Sequence, residues 1–263
     1  MNPITILSYN IHKGFTLGNR SFVLDRIKAA IRSTGAHLVF LQEVQGSHDL
    51  HASKIAEWPT SSQFEFLADE IWTHFAYGKN AVYYSGHHGN AILSMFPISR
   101  WKNVDLSTNP LEERGMLHAE IEIPGLASNL HVACLHLNLF EGGRQAQLTR
   151  ICKELTENAP LTAPLIIAGD FNDWREQAST RIINGLGVHE AHRSIHGRYA
   201  KTFPSFFPLF SLDRIYLRGL KASSAQALSG APWNALSDHL ALRTEVSFDN
   251  TRPHTAPHDS TLS

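Results

Sequence analysis

Apolar runs that stop abruptly at a polar residue recur along this chain. Ile4-Thr5-Ile6-Leu7 leads to Asn10, and His37-Leu38-Val39-Phe40-Leu41 delivers Gln42 and Glu43. Asn129 to Leu137 ends near His136 and Asn138, and Leu165-Ile166-Ile167 runs into Ala168-Gly169-Asp170-Phe171-Asn172-Asp173. Such short, β-branched runs predict buried strands. Met116 to Ile123 alternates instead, with Glu120 and Glu122 opposite Ile121 and Ile123, and predicts a strand with one wetter face. Leu212 to Leu217 and Ser237 to Leu242 read as further strand-like runs, carrying Asp213 and then Asp238 with His239.

Helical spacing appears between these runs. Val23, Ile27, Ala30 and Ile31 share one face of a helix that Ser21 is expected to cap and Gly35 to close. Phe64, Leu67, Ala68, Ile71 and Trp72 keep the same period. Gly143 to Thr156 turns Leu148, Ile151 and Leu155 inward and leaves Gln147, Arg150 and Lys153 polar, and Gln177 to Asn184 predicts a further helix. Gly86-His87-His88-Gly89 reads as a loop, and the aromatic, proline-rich Thr202 to Phe210 as irregular chain. Strands recur between helices but also in runs without them. That order suits an α/β (α+β) protein in which two sheets pack as a sandwich flanked by helices. One domain over residues 1–248 is expected, followed by a Thr/Pro/His/Ser-rich disordered tail over 249–263.

Composition narrows this picture. The 263 residues suffice for one large α/β domain, and a formal net charge of −1 argues against a general nucleic-acid binder, though not against a nuclease with a local basic rim. Two cysteines, Cys134 and Cys152, both in regions that bury free thiols, favour a reducing compartment. With no signal-like start and no span of transmembrane length, a soluble cytoplasmic protein without stable membrane insertion is expected. No protein partner can be inferred.

The run endings then carry the chemistry. Gly169 permits a turn that a Cβ would strain, and Asp170 and Asn172, two apart, project to one side of an extended chain. A turn alone would explain one such ending. Six of them, at Asn10, Glu43, His136, Asp170 with Asn172, Asp213, and Asp238 with His239, do not fit core packing, because acids are rarely buried unless paired or metal-bound. Converging carboxylates would repel one another unless a cation lay among them. Oxygen-rich ligation without thiolate favours Mg2+, with Mn2+ also suited, over zinc. A zinc site on His87 and His88 is disfavoured for lack of ligand spacing.

Ser8-Tyr9-Asn10, Leu41-Gln42-Glu43-Val44, Gly89-Asn90-Ala91-Ile92-Leu93-Ser94, Gly169-Asp170-Phe171-Asn172, Leu212-Asp213-Arg214-Ile215 and Ser237-Asp238-His239 resemble, in order, the motifs of the endonuclease/exonuclease/phosphatase superfamily. The resemblance runs from residue 4 to about residue 246. It implies a four-layer α/β/β/α sandwich with two central mixed sheets and magnesium-dependent phosphoester hydrolysis. It also implies Glu43 as main metal ligand with Asn10 and Asp238 close by, Asp170 orienting or activating water, and Asn172 binding phosphate. His239, paired with Asp213, would act as acid/base or charge stabiliser, and Arg114 would contact the substrate phosphate. His136 is similar to the deoxyribonuclease I and bacterial sphingomyelinase pattern, whereas apurinic endonucleases use a tyrosine, a role open here to Tyr83 or Tyr84.

The energetics agree. Uncatalysed phosphodiester cleavage requires removal of a barrier on the order of 20 kcal/mol, of which a general base supplies roughly 3–5 kcal/mol. A metal that stabilises charge on the phosphoryl and leaving oxygens is therefore expected. The substrate that the resemblance implies is a phosphoester in nucleic acid, in a lipid headgroup or in a small molecule. Phe203 to Phe210, with four phenylalanines, is either a packed loop or an apolar lip of the site. A non-catalytic binding module would require a broken site, and no expected acid, amide or histidine is missing.

Overall fold

The computed structural model describes residues 2–109 and 112–249. In chain order the elements are β1 (Ile4–Asn10), α1 (Leu24–Ser33), β2 (Leu38–His48), α2 (Asp49–Lys54), α3 (Gln63–Ala68), β3 (His74–Tyr83), β4 (Gly86–Ser94), β5 (Ile98–Asp105), β6 (Gly115–Ile121) and β7 (Leu130–His136). There follow α4 (Glu141–Asn158), β8 (Leu165–Asp170), α5 (Ala178–Leu186), β9 (His189–Glu190), α6 (Ala191–His196), β10 (Asp213–Arg218), β11 (Leu220–Ala227) and β12 (Leu242–Phe248). The strands form two six-stranded mixed sheets, ordered β11-β12-β1-β2-β4-β3 and β5-β6-β7-β8-β10-β9.

Each sheet is built round one parallel pair, β1 with β2 and β7 with β8. The crossovers run through α1 and α4, which lie on the outer faces. Strand parity then sorts the core. Ile6, Phe40 and Ile92 face Val132, Ile166 and Ile215 between the sheets. Leu7, Val39 and Leu41 turn outward onto Ile27 and Ile31 of α1, while Leu135 and Ile167 turn outward onto Leu148, Ile151 and Ile182. The result is the expected four-layer α/β/β/α sandwich.

Several local expectations change. Helix α1 begins at Leu24 with Val23 at its N-cap and no side-chain cap. An antiparallel bridge and an edge-to-face contact between Phe15 and Phe22 close a loop that holds Ser21 off the helix, its N–H donating to Thr16 Oγ1. Gly35 does follow α1 in the left-handed region. Helix α3 spans only Gln63–Ala68 because Ser62 and Glu65 form a capping box at one end and Asp69 leaves helical geometry at the other.

The Gly86–Gly89 stretch is not a loop. It opens β4, pairing with the long far end of β2 from Val44 to His48. Gln147 points inward rather than outward, its Oε1 accepting the Asn138 N–H and its Nε2 donating to Leu106 O. Strand β6 stops at Ile121, so Glu122 lies beyond it, and Ser237 to Ala241 is a loop that precedes β12. Thr202 to Phe210 is irregular apart from a Phe203–Phe210 bridge. Of the expected tail, all but Asp249 lies outside the described residues.

Candidate active site

Because β10 runs antiparallel to β8, its start shares a rim with the ends of β7 and β8. The end of β1 and the middle of β2, at Gln42 and Glu43, reach the same rim from the other sheet. Asp170 is the register partner of both His136 and Asp213. Asn10, His136, Asp170 and Asp213 all continue the inter-sheet parity of their strands, so their side chains emerge at the mouth of the layer between the sheets. Gly169 makes this possible: at φ 148 its Cα lies so close to β7 that a Cβ would sit 1.9 Å from Leu135 O.

Glu43 has the wrong parity for this cleft, and a β-bulge corrects it. Between Leu41 and Val44, strand β2 carries one residue more than β4 opposite. Glu43 sits at the bulge with φ 56, a conformation costly for a residue with a Cβ. Leu41 and Val44 both face outward, leaving Gln42 and Glu43 to point toward the second sheet. The strain thus falls on the residue whose carboxylate enters the cleft, and His12, Lys13 and Asn172 at the same rim likewise hold positive φ.

One oxygen is the hub. Asp170 Oδ2 accepts from Asn10 Nδ2 at 3.2 Å and lies 3.5 Å from His136 Nε2 and 3.6 Å from His239 Nε2. Asp170 Oδ1 accepts the Asn172 N–H at 2.9 Å, and Asn172 Nδ2 donates to Leu137 O. His239 Nδ1 is 2.9 Å from Asp213 Oδ2, leaving Nε2 to face the cleft. Ser237 anchors this loop by donating to Asn10 O at 2.7 Å. The trio Asp170, Asp213 and His239 has ligand atoms within 4.8 Å of one another and could hold a metal ion.

The electrostatics follow from burial and neighbours. Burial works against the His239 cation, yet Asp213 and Asp170 overcome it and lift this imidazole to about 10. Burial pushes the Asp170 carboxyl up, reinforced by Asp213, while His239 opposes the rise. Burial also disfavours the Glu43 carboxylate, but His136, Lys13 and His12 outweigh it and hold the group well below the usual range. His136, buried and facing Arg114, is held strongly toward its neutral form.

Three cleft residues escaped the sequence reading. His12 Nδ1 lies 3.3 Å from Asp238 Oδ2 and 4.0 Å from Glu43 Oε2, and Lys13 Nζ lies 3.4 Å from the same Glu43 oxygen. His88 reaches the cleft from β4, where it lines a narrow cavity with Glu43, Arg114 and His136. The Asn10-Ile11-His12-Lys13-Gly14 loop was the available signal for two of them; His88 was hidden by reading its strand as a loop. Arg114 is thus placed beside Glu43, its Nη2 donating to Glu112 Oε1 at 3.0 Å. Tyr83 accepts from Gln45 Nε2, and Tyr84 is fully exposed.

The residues fit a divalent cation on two grounds. Glu43 Oε2 is buried and accepts no hydrogen bond, and Glu43 and Asp238 bring two carboxylates to the two sides of the His12 ring. Both donors are hard oxygens. Among the described residues His87 and His88 belong to no group of three potential ligands, and His87 Nδ1 is engaged by Tyr77 Oη. No described helix is long and apolar enough to cross a membrane.

Comparison with known proteins agrees with this geometry. The uncharacterised protein YbhP of Escherichia coli K12 is 46% identical over 241 residues, covering 92% of this chain and 95% of that protein. An endonuclease/exonuclease/phosphatase from Beutenbergia cavernae superposes with a TM-score of 0.76 at 18% identity, covering 94% of this chain and 72% of that one. The human Nocturnin catalytic domain, solved with a bound sulfate anion, gives 0.72 at 22% identity, covering 94% and 95%. Residues 7–239 match the Endonuclease/Exonuclease/phosphatase family, and with two mixed sheets closing on one acid-lined rim, the chain belongs to that family.

Proposed function

We propose that the chain is a divalent-metal-dependent phosphodiesterase that hydrolyses a phosphoester by in-line attack of water. The observation that supports this best is the meeting of two sheets at Asp170 Oδ2, where a carboxylate, an amide and two imidazoles converge beside Glu43 Oε2, a buried oxygen that accepts no hydrogen bond. Glu43, Asn10 and Asp238 would hold Mg2+ or Mn2+; the Asp170–Asp213–His239 trio is already knit by its own hydrogen bond and serves better as acid–base apparatus. When bound, the ion supplies charge stabilisation at the phosphoryl and leaving oxygens.

The chain's own groups do the rest. Asp170, whose proton affinity burial has raised, orients the attacking water and draws off its proton at Oδ2. Asp213 holds the His239 ring by Nδ1, so that Nε2 presents a proton and positive charge to the phosphoryl group. Asn172 keeps one amide N–H for a phosphate oxygen after satisfying Leu137 O. Arg114 and the largely neutral His136 line the approach, adding a fixed charge and a hydrogen bond.

Turnover of bis(p-nitrophenyl) phosphate, with a chelator and then with added Mg2+ or Mn2+, tests the reading. Activity that disappears with chelator and returns with either ion is expected. Equal turnover with and without chelator would overturn the metal dependence, and full turnover by His239→Ala would overturn the site. A nuclease is the second reading, carried by the basic groups His12, Lys13 and Arg114 at the cleft; magnesium-dependent nicking of plasmid would support it.

A further inference from the structure

The chain leaves β1 through an uncommon bend. His12, Lys13 and Gly14 hold φ of 46, 58 and 84 in succession, left-handed values that are costly for the two residues with a Cβ. Contacts on several sides enforce the bend. Asn10 Oδ1 accepts the His12 N–H at 3.1 Å, Ile11 O accepts the Gly14 N–H at 2.9 Å, and Gly14 O accepts the Val23 N–H at 2.8 Å. Buried Gln63 donates from Nε2 to Lys13 O at 2.9 Å, while its Oε1 accepts the Gln45 N–H at 3.0 Å. A Cβ at Gly14 would lie 3.0 Å from the Phe22 ring. Strain that the surroundings over-determine in this way points to a task for the residues that carry it.

The bend delivers two side chains to the carboxylates assigned to the metal. His12 Nδ1 lies 3.3 Å from Asp238 Oδ2, and Lys13 Nζ lies 3.4 Å from Glu43 Oε2. Among the described residues no other lysine or arginine forms an ion pair with Glu43, Asp170, Asp213 or Asp238. The two side chains are held differently. The His12 ring has a short tether and is 18% exposed, whereas the Lys13 side chain is 35% exposed on a flexible four-carbon stem. Glu43 Oε2 accepts no hydrogen bond from the ammonium, so charge alone holds this pair. Such a contact is weak and readily exchanged.

Charge balance sets the order of partners. Lys13 neutralises Glu43, but that carboxylate cannot serve both cations equally. Once Glu43 binds a divalent ion, the ammonium faces two like charges at the oxygen it held. A phosphoryl group arriving at the same place offers the ammonium new anionic oxygens. We propose that Lys13 is a mobile counter-charge, holding Glu43 until an ion occupies it and then passing to the phosphate oxygens of the substrate. No bond to hydrogen is made or broken, and Lys13 keeps its charge throughout. The proposal rests on the metal-dependent phosphodiesterase reading above.

Calorimetry of Mn2+ binding to the full chain separates a mobile counter-charge from a structural ion pair. With the competing cation removed, Lys13→Met should bind Mn2+ about 10-fold more tightly than wild type. Lys13→Gln, polar and uncharged, should tighten binding likewise, and Lys13→Arg, which keeps the charge, should not. In saturating Mg2+, Lys13→Met should raise the KM of bis(p-nitrophenyl) phosphate about 10-fold and change kcat by less than about threefold. Mn2+ binding by both uncharged variants that equals or falls below wild type would overturn the counter-charge and leave a structural pair. Tighter ion binding with an unchanged KM would overturn the transfer to phosphate. Neither result touches the metal reading. A wild-type chain that binds no divalent ion would overturn the proposal together with that reading.

Discussion

Asp213→Asn tests the chemistry with almost no change of shape. The carboxylate accepts from His239 Nδ1 at 2.9 Å, both side chains are buried, and this pairing is a principal cause of the rise of His239 to about 10 from an ordinary 6.5. That rise corresponds to about 5 kcal/mol of preference for the imidazolium. Asparagine preserves the volume and removes the charge, so burial then drives the ring toward neutrality. With the positive charge at Nε2 lost, turnover should fall by about 10²–10⁴. Stability should follow the sign of the shift. A folded-state value raised above the unfolded one gives stabilisation that is complete below 6.5 and vanishes as pH rises through 10. The metal-free variant should therefore be about 3 kcal/mol less stable than wild type in mildly acidic buffer, with the gap closing in strongly alkaline buffer. Urea melts across pH, together with an NMR titration of the His239 ring, measure both quantities. A ring that still titrates near 10, or a variant within threefold of wild-type turnover, would refute the reasoning.

Three other outcomes follow from single contacts. Glu43→Gln should keep the fold, lose Mg2+ binding by calorimetry and lose diester turnover; calorimetric binding unchanged from wild type would remove Glu43 from the ligand set. Gly169→Ala drives a Cβ into Leu135 O at 1.9 Å, and should destabilise by at least about 3 kcal/mol in urea melts and disorder the Asp170 tip. Arg218, buried, donates to the carbonyls of Ala159, Pro160, Ala163 and Leu186, tying the ends of α4 and α5 to β10. Arg218→Ala should cost about 3–5 kcal/mol by stranding those acceptors, and a melt within about 1 kcal/mol of wild type would disprove the role.

Much of the molecule was legible because its signals are local. Buried strands such as β1, β7 and β8 are continuous apolar runs, and helices α4 and α5 show their period. Edge strand β5 was not read, since its side chains are largely exposed and no alternation marks it. The far end of β2 and the start of β4 were missed because neither is apolar; each forms only against the other. The start of α1 was misplaced because an aromatic contact between Phe15 and Phe22 overrode a good capping residue.

The site divides the same way. Its acids, amides and histidines announce themselves as polar endings of apolar runs, and strand parity carries four of them to one rim. The sequence alone thus determined the strand-end chemistry and the family. Tertiary structure decided the rest: that a bulge turns Glu43 into the cleft against its own parity, and that His12, Lys13 and His88 crowd it. The physical reason is range. A propensity or a period acts over a few residues, whereas Asn10 meets Asp170 across 160 positions of chain, and only the packing of two sheets brings them within 3.2 Å.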